Sequence, residues 1–135
     1  MSPQRAKVVV VEDDEFVLED ALKSLTESGH RLLFQASDVV TARKLLENLK
    51  ETPDVALIDS RFPNGPGEIT EDEKAGGIVA STIKNRFPEA TIVMFSNRSN
   101  QEFGTHRFPG PGESKLGRIE DLGQFISSLP APARK

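Results

Sequence analysis

The chain has 135 residues, 36% of them hydrophobic, which suits one domain with a real core (residues 1–130, with 131–135 as a tail) and argues against two. With 21 acidic against 17 basic residues the net charge is -4, and no basic stripe or aromatic-plus-basic platform interrupts it, so nucleic acid and anionic membrane are disfavoured as partners. Cysteine is absent, which removes disulfides, thiolate metal sites and a cysteine nucleophile. Met1 to Arg5 lead straight into an apolar run too short for a signal core, and nothing approaches the roughly eighteen apolar residues of a membrane helix, so a cytoplasmic location is expected.

In chain order, Val8 to Val11 read as a strand buried on both faces, ending on Glu12, Asp13 and Asp14. Asp14 can cap a helix running to about Ser28, with Val17, Leu18, Ala21, Leu22 and Leu25 on one face and Gly29 as the stop. A second strand follows at Arg31 to Gln35, and Ser37 or Asp38 caps a second helix carrying Val39, Ala42, Leu46 and Leu49. The third strand runs from Asp54 to Asp59. Ser60 to Gly76, rich in Pro, Gly and acid, is expected to be a loop. Helical spacing resumes from Gly77 to Phe87, and Ala90 to Ser96 form the fourth strand. Between Asn97 and Gly117 the pattern weakens, and Pro109 to Gly112 cannot sit in a central strand. A last helix spans about Arg118 to Leu129, with Gly123 costing about 1 kcal/mol relative to alanine. This order implies right-handed crossovers and a doubly wound α/β fold built on a parallel sheet.

Parallel strands point their carboxyl ends to one rim, where open α/β sheets bind ligands. Two apolar runs end there on acid, the first at Glu12-Asp13-Asp14 and the third at Asp59. Two like charges about 4 Å apart repel by about 4 kcal/mol at an effective dielectric of about 20, so a proton or a cation is needed among them. Oxygen-only donors select a hard ion, and Mg2+ fits two carboxylates, a backbone carbonyl and several waters. Taken singly, Glu12-Asp13-Asp14 reads more readily as a helix cap, and Asp59 as a turn acid. The weight lies in an ordered set: Glu12 and Asp13, then Asp59, then Ser96, then Lys115, each after its own strand.

That set resembles the receiver (CheY-like) domain of two-component response regulators over about residues 6 to 129. The resemblance implies a flavodoxin-like sheet of five parallel strands with helices on both faces. It also implies that Asp59 accepts a phosphoryl group, that Ser96 binds that group and that Lys115 pairs with it. Mg2+ is then held by Glu12, Asp13, Asp59 and the backbone carbonyl of Arg61, with Asp13 preferred over Glu12 as the direct ligand, and Pro63 matches the family's proline after the acceptor. The partners implied are a histidine kinase or histidine phosphotransfer protein upstream and a protein effector downstream, with signalling by changed protein contacts. Such a chain is a self-phosphorylating acceptor, not a turnover enzyme.

This sequence departs from the family in three places. The segment between Asp59 and Gly77 is longer by roughly ten residues, and loops beyond about 12 residues in compact domains are usually functional or disordered. It reads as a solvated, mobile loop, with a partner-contacting lid as the alternative. Second, the fourth-helix and fifth-strand region is atypical: Gly112 stands where the family has an aromatic, with Phe108 as the candidate substitute, and Leu116 replaces the proline after the lysine. Third, Asn97 follows Ser96 where a small residue is usual. The departures motivate one rival, a phosphorylation-independent pseudo-receiver that acts as an interaction module. A second rival, a Mg2+-dependent phosphohydrolase, wants a second acid beside its nucleophile, and Ser60, Arg61 and Phe62 supply none. His30 and His106 read as structural or surface residues.

Overall fold

The computed structural model describes residues 5–96, 104, 106–110 and 113–129. The expectations for Asn97, Gly112 and the tail at 131–135 lie outside the described residues.

Five strands form one parallel sheet: β1 (Lys7–Val11), β2 (Arg31–Ala36), β3 (Val55–Ile58), β4 (Thr91–Phe95) and β5 (His106–Phe108). Their order is β2-β1-β3-β4-β5. The chain therefore winds outward from β1 in one direction, then crosses back to build the rest from β3. The reversal falls between β1 and β3, and the loops leaving those two strands part there.

The alternation within β1 explains the layers. Val9 and Val11 face one side and pack with α2 (Val39–Asn48) and α3 (Ala75–Arg86) through Ala42, Leu46, Val79 and Ile83. Val8 and Val10 face the other side and pack with α1 (Glu15–Glu27) and α5 (Leu122–Ser128) through Ala21, Leu25, Leu122 and Ile126. Each central strand is buried on both faces, which is why these segments read as unbroken apolar runs. Asp14 caps α1 by accepting from the Phe16 and Val17 amides, and Asp38, not Ser37, caps α2 by accepting from Thr41.

One local expectation is sharpened and two are corrected. The segment after β3 is a loop as far as Lys74, but a tethered one: Phe62 is fully buried, its carbonyl accepts the Asp72 amide at 3.0 Å, and the two residues form an antiparallel bridge. Second, α3 starts at Ala75, ahead of Gly77, because Ala75 and Gly76 are buried and the Gly76 amide donates to the Ser60 carbonyl at 3.3 Å. Third, the last helix is broken into α4 (Lys115–Arg118), a 3-10 turn (Ile119–Asp121) and α5. Gly123 also gains a purpose: a Cβ there would meet the Ser24 carbonyl at 2.5 Å and clash with the Ser28 hydroxyl, so glycine lets α5 close onto α1. The atypical fifth strand is short and lies at the sheet edge, where Pro109 costs no ladder bond.

Candidate functional site

Backbone ladders carry the acids to the switch point. Val11 ends β1 and Ile58 ends β3, and the Asp59 amide donates to the Val11 carbonyl at 2.9 Å, extending the pairing one step beyond the strands. The Glu12 amide does the same toward Ala36 on the other neighbour, also at 2.9 Å. Both carboxylates thus leave rigid supports.

Glu12 is almost wholly buried, at 1% exposure. Its Oε2 accepts from the Asp13 and Asp14 amides at 3.0 and 3.3 Å, and its Oε1 from Lys115 Nζ at 2.6 Å. The same Nζ lies 3.0 Å from Asp59 Oδ1 and 4.8 Å from the centre of the Phe95 ring. Asp59 Oδ1 also accepts the Ser60 amide at 2.7 Å. Ser96, directly after β4, is buried, and its hydroxyl pairs with that of Ser60 at 3.1 Å. Lys115 opens α4, whose first turn Ser114 caps by accepting the Gly117 amide at 3.3 Å.

Glu12, Asp13 and Asp59 each offer a carboxylate oxygen, all within 4.8 Å of one another. With Ser96, Lys115 and Glu71 they line a cavity of about 320 Å³. Burial is the main force on Glu12, pushing its pKa up to about 8, with Asp59 adding to the rise and Lys115 opposing it. Asp13 is pushed up to about 7 by burial, by a hydrogen bond shared with Glu71 and by the charges of Glu71 and Asp59. For Lys115 burial works to lower the pKa, but Asp59 and Glu12 outweigh it and the net shift is upward, so the ammonium stays charged. Three carboxyl groups crowd one lysine here, burial and mutual repulsion raise Glu12 and Asp13, and a hard divalent cation fits such a set of oxygen donors.

Of the residues expected at the rim, Glu12, Asp13, Asp59, Ser96 and Lys115 come together in this cavity. Arg61 stands in the segment leaving it, with its guanidinium 3.9 Å from Glu73. Phe108 packs in the core between Phe95 and Phe125, its ring centre 6.5 and 5.1 Å from theirs. His30 ties the chain together away from the site: its Nδ1 accepts the Ala6 amide at 3.0 Å, and its Nε2 lies 2.8 Å from the Gly123 carbonyl.

Sequence reasoning missed two residues. Ser60 touches both Asp59 and Ser96, and its signal was a small hydroxyl following the acid on a strand buried on both faces. Glu71 brings a further carboxyl to the cavity, and it reaches Asp13 because the Phe62–Asp72 bridge folds the segment back.

No protein-family profile matches the chain, and no curated protein sequence matches it. Solved structures do. The phosphorylated cyanobacterial phytochrome response regulator RcpA is 16% identical, with 96% of this chain and 100% of that one covered at a TM-score of 0.70. The Mn2+-bound response regulator Rcp1 is 17% identical over 95% and 99%, at 0.68. The non-phosphorylated receiver domain of the stress response regulator RcsB from Escherichia coli is 20% identical over 93% and 92%, at 0.63. The fold is that of a response-regulator receiver domain. This chain spans less of some other receiver-fold structures: 65% of another RcsB receiver domain, from Salmonella enterica, and 47% of PhyR from Brucella abortus. In the receiver fold the carboxylate cluster of this chain sits at the switch point, where β1 and β3 release Glu12 and Asp59 side by side.

Proposed function

We propose that the protein is a phosphoacceptor receiver that takes a phosphoryl group from a phosphohistidine onto Asp59 in a Mg2+-dependent reaction. The observation that carries this reading is the position of Lys115 Nζ, 3.0 Å from Asp59 and 2.6 Å from Glu12, with Asp13 beside them. The Asp59 carboxylate attacks phosphorus, a P–O bond forms as the P–N bond to the donor imidazole breaks, and the bonding pair leaves with that nitrogen. Charge spreads over the equatorial oxygens in a loose transition state, so positioning and cations do most of the catalysis. Lys115 neutralises one of those oxygens and Ser96 donates a hydrogen bond to another. Mg2+, held by Glu12, Asp13, Asp59 and the Arg61 carbonyl, supplies the remaining positive charge when bound.

The acyl phosphate adds roughly 1.5 to 2 negative charges to an acidic rim, by analogy with other phosphorylated side chains, and the loops there rearrange in response. On this reading the chain works in the cytoplasm, receives its phosphoryl group from a histidine kinase or phosphotransfer protein, and signals by changing its contacts with a protein effector. Among the described residues no helix is long and apolar enough to cross a membrane.

The test is intact-mass measurement after incubation with Mg2+ and a small phosphodonor. The wild type gains one phosphoryl group and Asp59→Asn gains none. No adduct on either protein would move the reading to a phosphorylation-independent interaction module, and rapid donor turnover without a lasting adduct would move it to a hydrolase.

A further inference from the structure

Ser60 is 1% exposed, engages the site through two groups and ties it to α3 through a third. Its amide donates to Asp59 Oδ1 at 2.7 Å, its hydroxyl pairs with Ser96 Oγ at 3.1 Å, and its carbonyl accepts the Gly76 amide at 3.3 Å where α3 begins. The function proposed above gives work to Asp59 and Ser96 and none to Ser60, although Ser60 touches both.

A hydroxyl carries one proton and two lone pairs. If the Ser96 proton is to reach a phosphoryl oxygen, the link between the two serines survives only with Ser60 donating and Ser96 accepting. Accepting that bond fixes the Ser96 rotor and polarises its O–H, since hydrogen bonds in a chain strengthen one another. Both hydroxyls are buried, so water competes poorly for either. We propose that Ser60 is a positioning residue whose hydroxyl orients the Ser96 proton toward the incoming phosphoryl group, an inference that rests on the phosphoacceptor reading. The Asp59 contact is made by the Ser60 backbone amide and does not require its side chain, so the two functions of Ser60 can be separated by mutation.

The experiment is a double-mutant cycle on the full chain, with phosphorylation of Asp59 by a small phosphodonor followed by intact mass over time. Ser60→Ala slows phosphorylation by about three- to tenfold, the range of one ordinary hydrogen bond. In a Ser96→Ala background the same change has no further effect, a result that a general packing defect at position 60 would not produce. Ser60→Thr and Ser60→Val, nearly equal in volume, provide a second comparison that holds even if the alanine variant folds poorly: threonine keeps at least half the wild-type rate and valine falls to the alanine rate. Equal rates for wild type and Ser60→Ala, equal slowing with and without Ser96, or equal rates for the threonine and valine variants would each overturn the proposal. A wild type that accepts no phosphoryl group would overturn the phosphoacceptor reading and this one with it. Normal wild-type phosphorylation with an unaffected Ser60→Ala would remove this one alone.

Discussion

The rim is built from two kinds of support. Glu12, Asp59 and Ser96 leave the ends of strands whose partners on both sides hold them, whereas Glu71 arrives on a long excursion between β3 and α3 that is anchored chiefly at Phe62. Strand ends place a side chain through many backbone hydrogen bonds, so losing one contact barely moves it. The excursion depends on few: the Phe62–Asp72 bridge, the Asn64–Asp72 side-chain bond at 2.9 Å, and the Pro63 and Asn64 carbonyls that accept the Val39 and Val40 amides at 3.1 and 2.9 Å. The difference teaches that the strand ends and the loop rest on separate supports, so that on the phosphoacceptor reading acceptor chemistry and loop position should respond separately to mutation.

The largest effect is expected on the strand-borne side. Lys115→Met leaves Glu12 and Asp59 facing one another without their shared cation. Phosphorylation should fall at least about a hundredfold, the usual cost of removing a charge-stabilising group, and stability by about 3 kcal/mol, read from urea unfolding in metal-free buffer. Phe62→Ala tests the other side. It should cost about 3 to 4 kcal/mol of stability, as for other buried phenylalanines, while the Asp59 phosphorylation rate under folded conditions changes by less than about threefold. A collapse of both would show that loop and strand ends form one unit.

Acidity sharpens the comparison further. The pKa values of Glu12 and Asp13 are raised to about 8 and about 7, so below those values each tends to keep a proton that a cation must displace. Mg2+ affinity should rise from pH 6 to about 8, by up to about tenfold per pH unit for each proton displaced, and then level off; calorimetry in buffers of different ionisation enthalpy reports the protons. The linked effect on folding has the sign of a raised carboxyl pKa. Without metal, stability declines as pH rises from 4.5, where Glu12 ionises in the unfolded chain, to about 8, where it ionises in place. Saturating Mg2+ should flatten that slope. The smallest effect is expected for Glu71→Gln, an exposed carboxyl, which should weaken Mg2+ binding at pH 8 by about two- to fivefold.

Legibility followed the same division. Val8 to Val11 and Val55 to Ile58 are apolar on both faces, and a strand of that kind announces where its carboxyl end lies, so Glu12, Asp59 and Ser96 could be located in the fold from pattern alone. Phe62 could not. A single aromatic in a stretch of prolines, glycines and acids has no periodicity, and only the folded chain shows that it fills a core position between β3 and α3. Glu71 was invisible for the same reason, since its contact with Asp13 depends on the bridge beside it. Gly123 read as a helix-weakening cost because its partner, α1, lies far away in sequence, and the break at Ile119–Asp121 was hidden inside apolar spacing that continues through it.

The most direct measurement is chemical mapping of the acyl phosphate. Borohydride reduction of the phosphorylated protein converts an aspartyl phosphate to homoserine, which tandem mass spectrometry locates in the sequence. Homoserine at the Asp59 position, dependent on both Mg2+ and phosphodonor, is the predicted result; homoserine at Asp13 or another acid, or none under conditions where phosphoryl groups are taken up, would contradict the account.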